Sequence, residues 1–207
     1  MEVKEVKERG LLIVVSGPSG TGKGTLCKMI REKHPEIRFS ISETTRSPRE
    51  GEIDGVDYFF VTKEEFTKRI EEGQYLEHAT VYENYYGTPK EYVEKLRDQG
   101  YDVILEIDIQ GADKVRENCG EGVYIFIAPP SLEELRRRIE LRGTESPEQL
   151  AIRMNSARDE MLRATDYDYM VVNEIRETAA AEMEAIISAE HIKTERSGKR
   201  LDCILGR

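Results

Sequence analysis

Apolar residues along the chain gather into two alternating kinds of run. Residues 11–15, 103–109, 123–128 and 170–172 are short, β-branched and bounded by glycine, proline or aspartate, and 37–41 shares that character more faintly. Such runs predict strands buried on both faces. Between them, residues 24–33, 89–99, 112–118, 132–141, 147–163 and 174–189 repeat at helical spacing. Two helix starts carry capping signals: Ser131 three residues before Glu134, and Thr88-Pro89 ahead of Glu91, where proline takes the first helical position. Strands alternating with helices predict an α/β fold, a parallel five-stranded sheet with helices on both faces, three layers in all. Ligands on such a sheet collect at the carboxyl ends of the strands.

Two stretches interrupt the rhythm. From residue 42 to 87 aliphatics are sparse at first and turn signals stand at Pro48, Gly51 and Asp54-Gly55. An extended piece at 58–61, a short helix at 64–71 and another extended piece at 75–82 follow, which predicts a small inserted subdomain. Residues 142–147 form a Gly/Thr/Ser/Pro hinge between two arginine-bearing helices, the composition of a lid. The end of the chain from Lys193 is mildly basic and reads as a loosely held tail.

Composition narrows the class. With 207 residues, 38% of them hydrophobic, the chain can bury one good core. Its longest apolar run is too short for a membrane span or a signal-peptide core, so the cytoplasm is the expected location. Three scattered cysteines and three histidines indicate neither a disulfide framework nor a zinc site. A net charge of −10 argues against nucleic acid and against an anionic membrane surface as partners. An anionic ligand must then meet local clusters, and these exist at Arg46 with Arg49, at Arg136, Arg137, Arg138 and Arg142, and at Arg153, Arg158 and Arg163.

The stretch GPSGTGKGT, residues 17–25, follows a predicted strand and opens a predicted helix. Gly17, Gly22 and Lys23 satisfy the phosphate-loop spacing, but Gly24 stands where a hydroxyl usually follows the lysine, and Thr25 comes one later. Glycines let backbone N–H groups converge on phosphate oxygens, the helix start adds partial positive charge, and Lys23 reaches the outer phosphates. The loop indicates a nucleoside triphosphate. It leaves open whether that nucleotide is hydrolysed, acts as a switch or donates a phosphoryl group.

GPSGTGK in the loop, TTRSPREGE at 44–52, NYYGT at 84–88, LEIDIQG at 105–111, IAPPS at 127–131 and LRGTES at 141–146 together resemble the guanylate kinase family, in that order, over about residues 11–190. The resemblance implies transfer of the γ-phosphoryl of MgATP to GMP or dGMP, giving ADP and GDP or dGDP, in purine nucleotide metabolism and GMP recycling. It implies a core of residues 11–41, 89–137 and 164–190, a GMP-binding subdomain at 42–88, a lid at 138–163 and a tail at 191–207.

The same resemblance assigns residues. Gly17, Pro18, Ser19, Gly20, Thr21, Gly22, Lys23, Gly24 and Thr25 hold ATP, with Asn173 beside the adenine. Arg46, Arg49, Tyr58 and Tyr86 hold the GMP phosphate, a task suited to bidentate guanidinium forks and hydroxyl donors. Glu77 reads guanine with Ser42, Thr88 and Asp108 as partners. Guanine's adjacent N–H donors call for a carboxylate, whereas adenine's N1 lone pair would face it unpaired. Thr88 would also cap the helix that follows. Glu106 and Asp108, alternating with apolar residues, are expected on one strand face, serving Mg²⁺ through water or the nucleotide. Lys23, Arg46, Arg138, Arg142 and Arg153 would neutralise the transferring phosphoryl, the last three delivered by lid closure.

Two departures accompany the match: Glu43 beside Ser42 adds negative charge near an anionic ligand, and Glu106 stands where aspartate is also usual. The alternatives are a scaffold domain of the same fold that binds phosphopeptide, a kinase for another nucleoside monophosphate such as AMP, and a GTPase or motor ATPase. The intact loop, the carboxylate-plus-hydroxyl set and the lack of a switch signature count against them respectively.

Overall fold

A computed structural model describes residues 8–142 and 146–206. The first apolar run becomes strand β1 (Leu12–Ser16), buried along its whole length, and leads through the glycine loop into α1 (Lys23–Lys33) and β2 (Ile37–Phe39). The chain then builds a second, smaller sheet from β3 (Glu43–Thr44), β4 (Phe59–Phe60), β5 (Tyr75–Val81) and β6 (Asn84–Pro89), with α2 (Lys63–Glu71) between β4 and β5. It returns through α3 (Lys90–Asp98) to β7 (Asp102–Glu106), α4 (Ile109–Cys119), β8 (Val123–Ala128), α5 (Leu132–Arg142) and α6 (Pro147–Leu162). A 3-10 turn at Arg163–Asp166, β9 (Tyr169–Val172), α7 (Arg176–His191), a second 3-10 turn at Thr194–Arg196 and α8 (Gly198–Leu205) complete it.

The main sheet has the order β2-β7-β1-β8-β9 and every pairing is parallel. This is the α/β arrangement expected from the alternating runs. Pleating sends Ile13 and Val15 of β1 to the side packed by Leu26, Cys27 and Ile30 of α1 and Ala179, Ala180 and Met183 of α7. Leu12 and Val14 face the other side, against Val93 of α3 and Ala112 and Val115 of α4. Each buried Val, Leu, Ile or Met among them contributes roughly 1.5–3 kcal/mol by leaving water, so the two-sided core fixes β1 and with it the loop at its end.

The small sheet, in the order β4-β3-β6-β5, mixes one parallel and two antiparallel pairings. Its anchor is Phe66 of α2, fully buried and stacked on Tyr75 and Tyr85 at ring separations of 4.4 and 5.4 Å. A capping box at Thr62 and Glu65 starts α2, and another at Ser146 and Gln149, with Pro147 behind it, starts α6.

Several expectations are corrected here. Strand β7 stops at Glu106, and Asp108 is the N-cap of α4, its carboxylate accepting from the Gly111 N–H at 2.7 Å. Glu106 and Asp108 are therefore not alternate residues of one strand, because the helix begins three residues before the sequence pattern suggested. The N-cap of α3 is Pro89, without a side-chain bond, while Thr88 lies in β6 and turns its hydroxyl to Glu77. Within the tail, Gly198–Leu205 form α8, whose described side chains are exposed, with an ion pair between Arg200 and Glu8 at 3.2 Å, which leaves the expectation of a loose tail standing. No helix among the described residues is long and apolar enough to cross a membrane.

Candidate nucleotide site

The loop after β1 needs backbone that side chains resist. Gly17, Gly20 and Gly22 have φ of 133°, 95° and 93°, and a Cβ at Gly17 would lie 2.3 Å from the Ile127 carbonyl oxygen. Thr21 is buried and its hydroxyl donates to the Pro18 carbonyl at 2.9 Å, which closes the loop on itself. Lys23, the first residue of α1, folds back to donate to the carbonyls of Gly17 at 2.6 Å and Pro18 at 3.1 Å. Burial lowers its pKa, and the neighbouring carboxylates of Glu106 and Glu160 oppose that shift.

Two cavities share this loop. One, of about 420 Å³, is lined by Gly20, Gly22, Thr25, Arg138, Leu141 and Asn173. The other, of about 620 Å³, is lined by Gly17, Ser19, Lys23, Gly24, Thr25, Glu106, Asp108 and Glu160. Asn173 follows β9 and is buried, and its amide donates to the Thr21 carbonyl at 2.6 Å, so it braces the loop from the sheet side. Arg138 donates to Glu134 at 2.8 Å and to the Asn173 carbonyl at 2.9 Å. Arg153 of α6 reaches the Ser19 hydroxyl at 3.2 Å. The side chain of Arg142 lies outside the described residues.

Glu106, Asp108 and Glu160 bring three carboxylates to the larger cavity. Burial pushes Glu106 upward from the usual carboxylate range against the pull of Lys23. Glu160 is raised for the same first reason, Lys23 opposing and Asp108 adding to it. Sequence reading missed Glu160. Its signal was its spacing, seven residues after Arg153 and so on the same face of one helix.

On the small sheet, the Glu77 carboxylate is 8% exposed and accepts the Thr88 hydroxyl at 2.6 Å. Burial raises its pKa, Thr88 opposes the shift and Asp108 adds to it, so the three side chains share one field. Arg46 forms a two-armed pair with Glu52, both arms 2.9 Å, and its guanidinium lies 5.4 Å from the centre of the Tyr58 ring. Tyr58 and Tyr86 meet edge to face at 6.0 Å, and a hydrogen bond with Tyr86 joins the pair with Glu52 in holding the Arg46 pKa above its usual value. Arg49 is exposed, with its N–H on Glu52 at 2.7 Å. Ser42 precedes β3, half-buried.

Glu43 corrects its sequence reading. Alternation along β3 puts it on the face opposite Ser42, where it is buried, ion-paired with Arg69 and accepting the Tyr75 hydroxyl. Its charge is compensated away from Arg46.

A sequence model of the guanylate kinase family matches residues 9–190. The chain belongs to the guanylate kinase family. As a member of it, the chain is a nucleoside monophosphate kinase, a phosphotransferase. It is 58% identical to the guanylate kinase of Clostridium perfringens (strain 13 / Type A) over 93% of this chain and 89% of that one. It is 54% identical to the guanylate kinase of Caldanaerobacter subterraneus subsp. tengcongensis over 93% of each. Among solved structures, the guanylate kinase of Anaplasma phagocytophilum superposes with a TM-score of 0.71 at 38% identity, covering 95% of each chain.

Proposed function

We propose that this guanylate kinase family member transfers the γ-phosphoryl of MgATP to GMP, and to dGMP, giving ADP and GDP or dGDP. The observation that carries this reading is the buried Glu77–Thr88 pair on a sheet that also presents Arg46, Tyr58 and Tyr86. Thr88 satisfies one carboxylate oxygen, which leaves acceptor capacity for the N1–H and amino group of guanine. The phosphate of that nucleotide would meet Arg46, Arg49, Tyr58 and Tyr86, with Ser42 and Asp108 bordering the base.

ATP would lie along the glycine loop across both cavities, its adenine near Asn173 and Leu141 and its triphosphate against the loop amides and Lys23. The donor set of the larger cavity fits Mg²⁺: three carboxylates and the Thr25 hydroxyl are hard oxygen ligands facing a phosphate loop. Bound there, the ion would offset charge developing on the β- and γ-phosphates, with Glu106 and Asp108 holding its water ligands. Lys23, Arg138, Arg142 and Arg153 would add positive charge around the equatorial oxygens as residues 138–163 close, and closure excludes water that would otherwise hydrolyse ATP. No general base is required, because the acceptor phosphate is already an anion at neutral pH.

Residues 42–88 form the acceptor unit on this reading, with 11–41, 89–137 and 164–190 as the core and 191–207 as a tail. The net charge of −10 supplies no basic footprint for nucleic acid or an anionic membrane, and we place the enzyme in the cytoplasm. The deciding experiment is coupled ADP production with ATP, with and without Mg²⁺, and each of GMP, dGMP, AMP, CMP and UMP. Activity must be greatest on GMP and require the divalent ion. A maximum on AMP would overturn the reading.

A further inference from the structure

Arg46 has five N–H donors, and the loop that carries it engages three. Nη1 donates to Glu52 Oε2 at 2.9 Å and to the Ser47 carbonyl at 2.8 Å, while Nη2 donates to Glu52 Oε1 at 2.9 Å. Glu52 thus occupies the blunt end of the guanidinium. Nε–H and the second proton on Nη2, which no group of this loop engages, lie side by side along one edge of the plane and match two oxygens of a phosphate; the Tyr86 hydroxyl also accepts from Arg46, which leaves its own proton to donate.

Everything around the guanidinium reinforces this orientation. The rings of Tyr58 and Phe60 stand 5.4 and 5.9 Å from it. Glu52 is fixed in turn by the Arg49 N–H at 2.7 Å, and Arg46 and Glu52 side chains are only 15% and 19% exposed. Its carboxyl is held down to about 2 by Arg46 first and the Arg49 amide second, so it is ionised throughout the working range. An acid this close to an anion site opposes the ligand by charge alone.

We propose that Glu52 is a positioning residue for the acceptor: by occupying the blunt fork of Arg46 it leaves the side fork as the donor pair presented to the nucleotide phosphate. The inference rests on the reading of Arg46 as an acceptor-phosphate residue.

Charge and orientation predict opposite signs for Glu52→Gln. Removing an anion alone would tighten GMP binding. Losing the two-armed clamp, with an amide N–H set against an Nη–H, weakens it, by roughly 10- to 30-fold in Kd. Calorimetric titration of the full-length protein with GMP and with guanosine reads the difference, because guanosine lacks the phosphate. The expected result is weaker GMP binding, unchanged guanosine binding, a KM for ATP within about 2-fold of the parent, and partial rescue by Glu52→Asp. Equal weakening for guanosine and GMP would mean that Glu52 merely supports the loop, and tighter or unchanged GMP binding would mean that charge dominates; either overturns the proposal. Arg46→Lys serves as the control for the underlying reading. If it leaves the GMP Kd unchanged, Arg46 does not hold the acceptor phosphate, whereas if it weakens GMP and Glu52→Gln does not, the positioning role alone fails.

Discussion

Replacing Glu77 with glutamine should drive stability and activity in opposite directions. The carboxylate is 8% exposed and its pKa is raised, first by burial, so at neutral pH the folded protein carries an ionised group that its surroundings disfavour. The folded state takes up that proton more readily than the unfolded chain, so this site adds stability as pH falls through the raised pKa and lowers it above. Glutamine removes the charge while its amide oxygen can still accept the Thr88 hydroxyl, now 2.6 Å from the carboxylate. The gain is on the order of 1 kcal/mol, or about 2–4 °C in Tm for a chain of this size. For GMP the change is adverse: charge-assisted hydrogen bonds of roughly 1.5–3 kcal/mol each are weakened, and an amide N–H is turned toward the guanine donors. A net loss of about 2–4 kcal/mol corresponds to a fall of roughly 30- to 1,000-fold in kcat/KM for GMP. Thermal unfolding and coupled ADP release, with ATP and GMP varied separately, test both halves. A Tm that falls together with activity would show that Glu77 is structural. A rise confined to the KM for ATP would place it in the wrong pocket.

Three further outcomes follow from the same geometry. The KM for GMP should rise on acidification before pH reaches the ordinary glutamate value of 4.5, because protonated Glu77 cannot accept from guanine, and this limb should vanish in Glu77→Gln. Gly24→Ala should leave stability level or raise it by up to about 1 kcal/mol through helix propensity, yet increase the Mg²⁺ needed for half-maximal rate; the new Cβ comes to 3.2 Å from Glu106 Oε1, so that carboxylate has to shift slightly. Unchanged Mg²⁺ dependence would remove Glu106 from the metal's surroundings. Arg97→Met should cost about 2–3 kcal/mol in chemical denaturation, since Arg97 is 2% exposed and bonds the Gly10 carbonyl, Glu94 and Glu121 at 3.0–3.1 Å; a loss below about 0.5 kcal/mol would show that the network contributes little.

The centre of the main sheet was legible because β1, β7 and β8 are buried on both faces, with residues such as Ile13, Val14, Ile125 and Ile127 wholly out of water, whereas the edge strands β2 and β9 are partly exposed, against the two-sided burial their runs predicted. The small sheet was only partly legible. Strand β3 has two residues, one of them the buried acid Glu43, and β6 reads NYYGTP, ending in a proline that also fits a helix start. Both strands depend on pairing with distant chain rather than on local pattern. Thr88 illustrates the limit: a hydroxyl before Pro-x-Glu is a sound capping signal, yet the N-cap of α3 is Pro89, and Thr88, paired into β6, donates its proton to a buried carboxylate eleven residues away in sequence. Glu160 was missed for a related reason, since its seven-residue spacing from Arg153 acquires meaning only when α6 packs beside the glycine loop. The glycine loop was readable because its backbone geometry is written in contiguous residues.

The small sheet is inserted between β2 and β7, which are neighbours in the main sheet. In topological terms it is an enlarged crossover. It is tied to the main body where the Ser40 amide meets the Ile104 carbonyl at 3.1 Å, where α3 lays Val93 on the core, and where β5 buries Leu76 in that same core beside α4, whose Asn118 donates to the Leu76 carbonyl at 3.0 Å. On the reading proposed above, choice of acceptor and grip on the donor would lie in separate stretches of one polypeptide, and a graft of the segment from Ile41 to Thr88 between related kinases would have to keep the face of α4 on which Leu76 packs.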